Sequence, residues 1–173
     1  MVPAPWPVEQ RDPRELVELR AQEGWISTVE AHRLHAWLDR LAPLVLAGPS
    51  VFVHADVQLA NVLLRPGSRH YAAVVDWGNS HIGDATGDFC GVPLAAGAAM
   101  LDGYRSESES RSCVTEASIL WHRMRKVFAY LPRGAAPGLA WGERPVAWLT
   151  DLLLHLHDRQ DRPWRDLAPA ALV

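Results

Sequence analysis

The stretch His54-Ala55-Asp56-Val57-Gln58-Leu59-Ala60-Asn61 sets a carboxylate shortly before an amide, and Asp76-Trp77-Gly78 adds a second carboxylate ahead of a glycine. These residue types suit phosphoryl transfer from a magnesium nucleotide. One carboxylate orients the attacking hydroxyl, while an amide oxygen and another carboxylate hold a divalent ion against the phosphates. Each group also has a plain structural reading, because Asp and Asn close turns and a buried His often only satisfies a carbonyl. Taken as a set in this order, they favour the chemical reading.

The elements that must position these residues follow from local patterns. Arg14 to Gln22 forms a short helix ending near Gly24. Ser27 and Glu30 make a capping box for a longer one, with Ala31, Leu34, Leu38, Leu41 and Val45 on one face and Pro43 and Gly48-Pro49 closing it. Val51-Phe52-Val53 leads into the His54 motif. The segments from Asn61 to Arg65 and from His70 to Val75 flank Pro66-Gly67-Ser68 as a β-hairpin, which sets Asn61 and Asp76 at its two open ends, near enough to share one metal ion. Helices follow over Leu94 to Tyr104, Val114 to Leu131 and Val146 to His157, separated by a polar stretch from Ser106 to Ser112 and a Gly/Pro loop from Pro132 to Pro145. A hairpin between helices is an α+β arrangement in which the helices supply the core.

Composition narrows the classes. A chain of 173 residues, 49% of them hydrophobic, is long enough for one well-formed core, so a single domain over 1–173 is expected. It divides into an extended Pro-rich leader (1–13), a helical part (14–50), the catalytic hairpin region (51–84) and a helical part (85–173). The net charge of −3 supplies no basic field for nucleic acid. No apolar run has the length of a membrane span, and the proline-rich start has neither the basic nor the apolar region of a signal peptide. Cys90 and Cys113 are too few and too isolated for a disulfide framework or a zinc site, as in a reducing compartment. A cytoplasmic protein with no membrane partner is expected.

Val53-His54-Ala55-Asp56, Asn61-Val62-Leu63-Leu64, Val75-Asp76-Trp77-Gly78, Ile82-Gly83-Asp84 and Asp88-Phe89 together resemble the aminoglycoside phosphotransferase family and its choline-kinase-like and macrolide-kinase relatives. The resemblance implies the mostly helical C-terminal lobe of a protein-kinase-like fold, with the small β-hairpin carrying the catalytic and metal-binding loops. It implies transfer of the γ-phosphate of ATP or GTP, with Mg2+, to a hydroxyl of an antibiotic-like or other small molecule. By the same resemblance Asp56 is the catalytic residue, Asn61 and Asp76 are the metal ligands, and His54 and Asp84 support the catalytic loop. Gln58, Leu59 and Ala60 stand where His-Pro-Gly is common in that family, and Asn79 where an acidic residue often follows the metal Asp.

The resemblance also implies a nucleotide-binding N-lobe ahead of the hairpin. Here the preceding residues read as helix, and the chain's sole lysine, Lys126, lies downstream in a helical pattern. The N-lobe is therefore expected to be absent, leaving a truncated phosphotransferase of impaired activity that works with a missing N-lobe or a partner chain. A non-catalytic ligand-binding or partner-dependent relative is an alternative, as is a metal-dependent phosphoesterase built on His54, Asp56, Asp76 and Asp84. Glu116, Asp151, Asp158 and Asp161 could receive a cationic amino sugar or be ordinary surface charge. The run from His122 to Lys126 reads as a charged helix face.

Overall fold

The computed structural model describes residues 11–107, 113–133, 141, 144–158 and 164–169. Five helices and two small antiparallel sheets make up the described chain. Helix α1 spans Pro13–Gln22, α2 Thr28–Leu41, α3 Leu94–Ser106, α4 Glu116–Tyr130 and α5 Pro145–Asp158. The strands are β1 (Ser50–Val53), β2 (Val62–Leu64), β3 (Tyr71–Val74) and β4 (His81–Asp84). The α+β class read from the sequence holds. Most of the leader, the Ser106–Ser112 stretch and the Pro132–Pro145 loop lie outside the described residues.

Local chemistry sets the ends of the helices. Asp12 caps α1 by accepting from the Arg14 amide at 2.8 Å, and Pro13 occupies the first helical position, where its missing N–H costs nothing. Pro13 therefore opens a helix instead of closing the extended leader. The Ser27–Glu30 box forms in full, with the Glu30 carboxylate accepting from the Ser27 amide at 2.7 Å and the Glu30 amide donating to Ser27 Oγ at 3.2 Å. Pro43 converts the end of α2 into a 3-10 turn over Ala42–Leu44, so Val45 falls outside the helical stripe.

The core is almost entirely helical. Leu16 and Val17 of α1, Leu38 and Leu41 of α2, Leu94 and Leu101 of α3, Ile119, Leu120, Met124 and Phe128 of α4, and Leu152 and Leu156 of α5 are its fully enclosed side chains. Burial of each stabilises the fold by about 1.5–3 kcal/mol before entropy is counted. Against this block lie the two sheets. The expected hairpin forms from β2 and β3, with Val62 opposite Val74 and Leu63 opposite Ala73. Gly67 takes φ +70 in the connecting turn, a conformation that suits glycine. The second sheet was not foreseen: β1 pairs with β4, Val51 opposite Gly83 and Val53 opposite His81. Its register ties the strand entering the His54 motif to the strand leaving the Asp76 motif.

Candidate active site

Between β1 and β2 the chain turns sharply through the His54–Asn61 loop. Ala55 sits in the left-handed region at φ +64, which costs a residue with a Cβ roughly 1–2 kcal/mol. Asp88, more than thirty residues away, holds it there: one carboxylate oxygen accepts from the His54 amide at 3.1 Å and the other from the Ala55 amide at 2.7 Å. The His54 ring is buried. Its Nδ1 accepts from the Asp56 amide at 3.3 Å and its Nε2 donates to the Val75 carbonyl at 2.9 Å, the tautomer that satisfies both partners. His54 thus joins the loop bearing Asp56 to the strand end bearing Asp76.

The half-buried Asp56 carboxylate faces two amides. Gln58 Nε2 donates to Asp56 Oδ2 at 3.2 Å, and Asn61 Nδ2 donates to the same oxygen at 3.3 Å and to the Asp56 carbonyl at 2.9 Å. The Asn61 nitrogen is thereby engaged, which leaves its Oδ1 as the group available to a cation. The Val75 amide donates to the Asn61 carbonyl at 2.9 Å, so the hairpin brings Asn61 beside the residue just before Asp76. Asp76 is exposed and, like Ala55, left-handed at φ 64. A backbone bent this way at each side of the site is strain that the surrounding hydrogen bonds must hold.

Asn61 Oδ1 and an Asp76 carboxylate are hard oxygen donors of the kind Mg2+ takes together with phosphate oxygens and water. Among the described residues no group of three or more His, Cys, Asp and Glu is placed to hold a metal. His54 spends both ring nitrogens on the backbone, and Asp84 accepts from the Thr86 amide at 2.8 Å and faces His122 Nε2 at 3.5 Å. The four proposed phosphoesterase ligands are therefore not gathered around one point. Asp84 instead caps the 3-10 turn Ala85–Phe89 that carries Asp88. Its hydrogen bond with His122, joined by the Thr86 contacts and opposed by burial, holds its carboxyl well below the usual carboxylate range.

Trp77 lies half-exposed on this framework. Its ring is tilted onto His54 at 4.5 Å and stacked on Phe52 at 5.7 Å, and its Nε1 donates to the Val74 carbonyl at 3.0 Å. With Phe52 62% and Ile82 68% exposed, these residues make an apolar strip beside Asp76.

Sequence reasoning missed the residues beneath the loop. A Cβ on Gly91 would come within 2.0 Å of the Val57 carbonyl, so the two backbones meet with no room for a side chain. Arg123, taken as part of a charged face, is 5% exposed and donates Nη1 to the Val92 carbonyl at 2.7 Å. Asp151 accepts from the Leu94 amide at 2.9 Å at the start of α3. The sequence reads Asp151 only as a cation contact or surface charge, and Asp88 is signalled only through the Asp88-Phe89 pair within the resemblance.

A fold of this kind, with an Asp-to-Asn loop joined by a hairpin to a second Asp, is that of a kinase-like phosphotransferase lobe. The model of the phosphotransferase enzyme family matches residues 3–127, and the chain belongs to that family. No curated protein and no solved structure matches the chain.

Proposed function

We propose that this chain carries the metal- and acceptor-binding part of a small-molecule kinase that moves the γ-phosphate of ATP or GTP to a hydroxyl. The observation that carries the proposal is the joint placement of Asp56, Asn61 and the strand end preceding Asp76 by one hairpin and one buried histidine. Asn61 and Asp76 are the residues to hold Mg2+, which supplies charge neutralisation on the transferred phosphate.

Asp56 accepts a hydrogen bond from the acceptor hydroxyl and aims its oxygen at the γ-phosphorus. As the new O–P bond forms and the bond to the nucleoside diphosphate breaks, the hydroxyl proton passes to the Asp56 carboxylate. A loose transition state needs alignment more than a strong base, so an ordinary carboxylate suffices. Gln58 and Asn61 fix which Asp56 oxygen remains for the substrate, because both donate to Oδ2.

The nucleotide side is completed, on this reading, by a lobe from a preceding segment or a partner chain. The exposed Phe52, Trp77 and Ile82 strip beside Asp76 supports this, as does the position of the sole lysine on α4. No helix among the described residues is long and apolar enough to cross a membrane, in keeping with a cytoplasmic role.

The test is a magnesium-dependent nucleotide titration followed by a transfer assay. Asp76→Asn is expected to weaken magnesium-dependent nucleotide binding. Asp56→Ala is expected to leave folding and nucleotide binding intact and to lower transfer by roughly 10²–10⁴-fold. Full turnover in Asp56→Asn would refute the role given to Asp56.

A further inference from the structure

Helix α4 is anchored deep in the core through Ile119, Leu120, Met124 and Phe128, and it packs against α1, α2, α5 and the Ala85–Phe89 turn. Two successive residues on it, His122 and Arg123, reach the segment that runs from the end of β4 toward the start of α3. His122 meets the near end, with Nε2 3.5 Å from Oδ2 of Asp84. Arg123 meets the far end, donating Nη1 to the Val92 carbonyl at 2.7 Å.

Asp88 lies between these two holds. Its carboxylate accepts from the His54 and Ala55 amides, and His54 Nδ1 accepts in turn from the Asp56 amide. A path of contacts therefore leads from the helical core to the loop of Asp56. It passes from His122 to Asp84, from Asp84 Oδ1 to the Thr86 amide at 2.8 Å, and through the 3-10 turn to Asp88. The His122 side chain is 11% exposed and both of its nitrogens are engaged: Arg125 Nη2 donates to Nδ1, which puts the ring hydrogen on Nε2, toward Asp84. His122 is also the chief influence holding the Asp84 carboxyl below the usual carboxylate range. The Asp84 side chain is 39% exposed, so without the His122 donor its carboxylate is free to turn to water and away from the Thr86 amide.

We infer that His122 is a positioning residue for phosphoryl transfer: by holding Oδ2 of Asp84 to α4 it keeps the Ala85–Phe89 turn, and with it Asp88, set beneath the Asp56 loop. The inference rests on the kinase reading for the consequence at Asp56. The hold on the loop is a property of the fold and is measured without substrate.

Amide hydrogen exchange reads that hold. His122→Leu keeps much of the bulk and removes the donor. In it the His54 and Ala55 amides are expected to exchange about fivefold faster, the factor for roughly 1 kcal/mol, while amides within α1 and α2 keep their rates. His122→Gln can still donate to Asp84 and accept from Arg125, and is expected to stay within about twofold of the wild type. With Asp84→Asn already in place, adding His122→Leu is expected to change the exchange by less than about twofold, because the two residues act through one contact. In the magnesium-nucleotide transfer assay, kcat is expected to fall in His122→Leu and recover in His122→Gln, with the KM for nucleotide unmoved.

Loop exchange in His122→Leu equal to that of the wild type would overturn the inference, as would His122→Gln exchanging as fast as His122→Leu. An equal rise at α1 and α2 would do the same, since the effect would then be a general loss of stability. If His122→Leu folds poorly, NMR of the wild type with labelled histidine decides the matter: a hydrogen on His122 Nε2 is expected, and a neutral ring carrying it on Nδ1 would overturn the inference. Unchanged loop exchange alongside Asp76-dependent magnesium-nucleotide binding would fault His122 alone. The expected exchange pattern without any transfer by the wild type would fault the kinase reading and not the hold.

Discussion

Asp88→Asn probes how the catalytic loop is held. The wild-type carboxylate accepts from two successive amides, His54 at 3.1 Å and Ala55 at 2.7 Å, and so keeps Ala55 at φ +64. An asparagine offers one oxygen and sets an NH2 group against the other amide. One charge-assisted hydrogen bond is lost, about 1.5–3 kcal/mol, and the remaining one is weakened. If Ala55 then leaves the left-handed region, roughly 1 kcal/mol of strain is returned. The expected net loss of unfolding free energy is about 1–2 kcal/mol, measurable by urea denaturation, with faster hydrogen exchange at the His54 and Ala55 amides. Glycine tolerates positive φ, so Ala55→Gly added to Asp88→Asn is expected to slow that exchange again. Unchanged protection of the Ala55 amide in Asp88→Asn, with a stability loss below about 0.5 kcal/mol, would refute the clamp.

The other predictions concern the ground beneath and beside the loop. Gly91→Ala drives a methyl group into the Val57 carbonyl and is expected to cost about 1–3 kcal/mol, read as a lowered urea midpoint; an unchanged midpoint would mean that the two segments separate freely. The Asp84 carboxyl is held below its unfolded value by His122, against burial, with help from Thr86. Its stabilising contribution is therefore present above about pH 4 and lost as pH falls below it. Urea midpoints measured across the acid range are expected to fall less steeply in Asp84→Asn than in the wild type.

The parts of the molecule written in nearby residues were legible in the sequence. Ser27 and Glu30 sit in one turn of chain, and the Gly67 turn fixes the hairpin that brings Asn61 beside Val75. Strand β4 escaped notice because His81-Ile82-Gly83-Asp84 has one β-branched residue and a glycine, so only its pairing with β1 makes it a strand. Asp88 belongs to the loop through contacts with His54 and Ala55 that no periodicity encodes. The charged run on α4 misled for a related reason. Arg123 and Lys126 face inward because a backbone carbonyl and an aromatic ring meet them there, and neither partner is visible in the helix's own pattern.

The Phe52, Trp77 and Ile82 strip has a practical consequence for the purified chain. A greasy ridge on a two-stranded ribbon invites copies to stick together, and it should do so more readily in sulfate or phosphate buffers, which strengthen apolar association. Preparations at low salt and low concentration would keep the molecules apart, and the indole of Trp77 would brighten or shift colour as neighbours come and go.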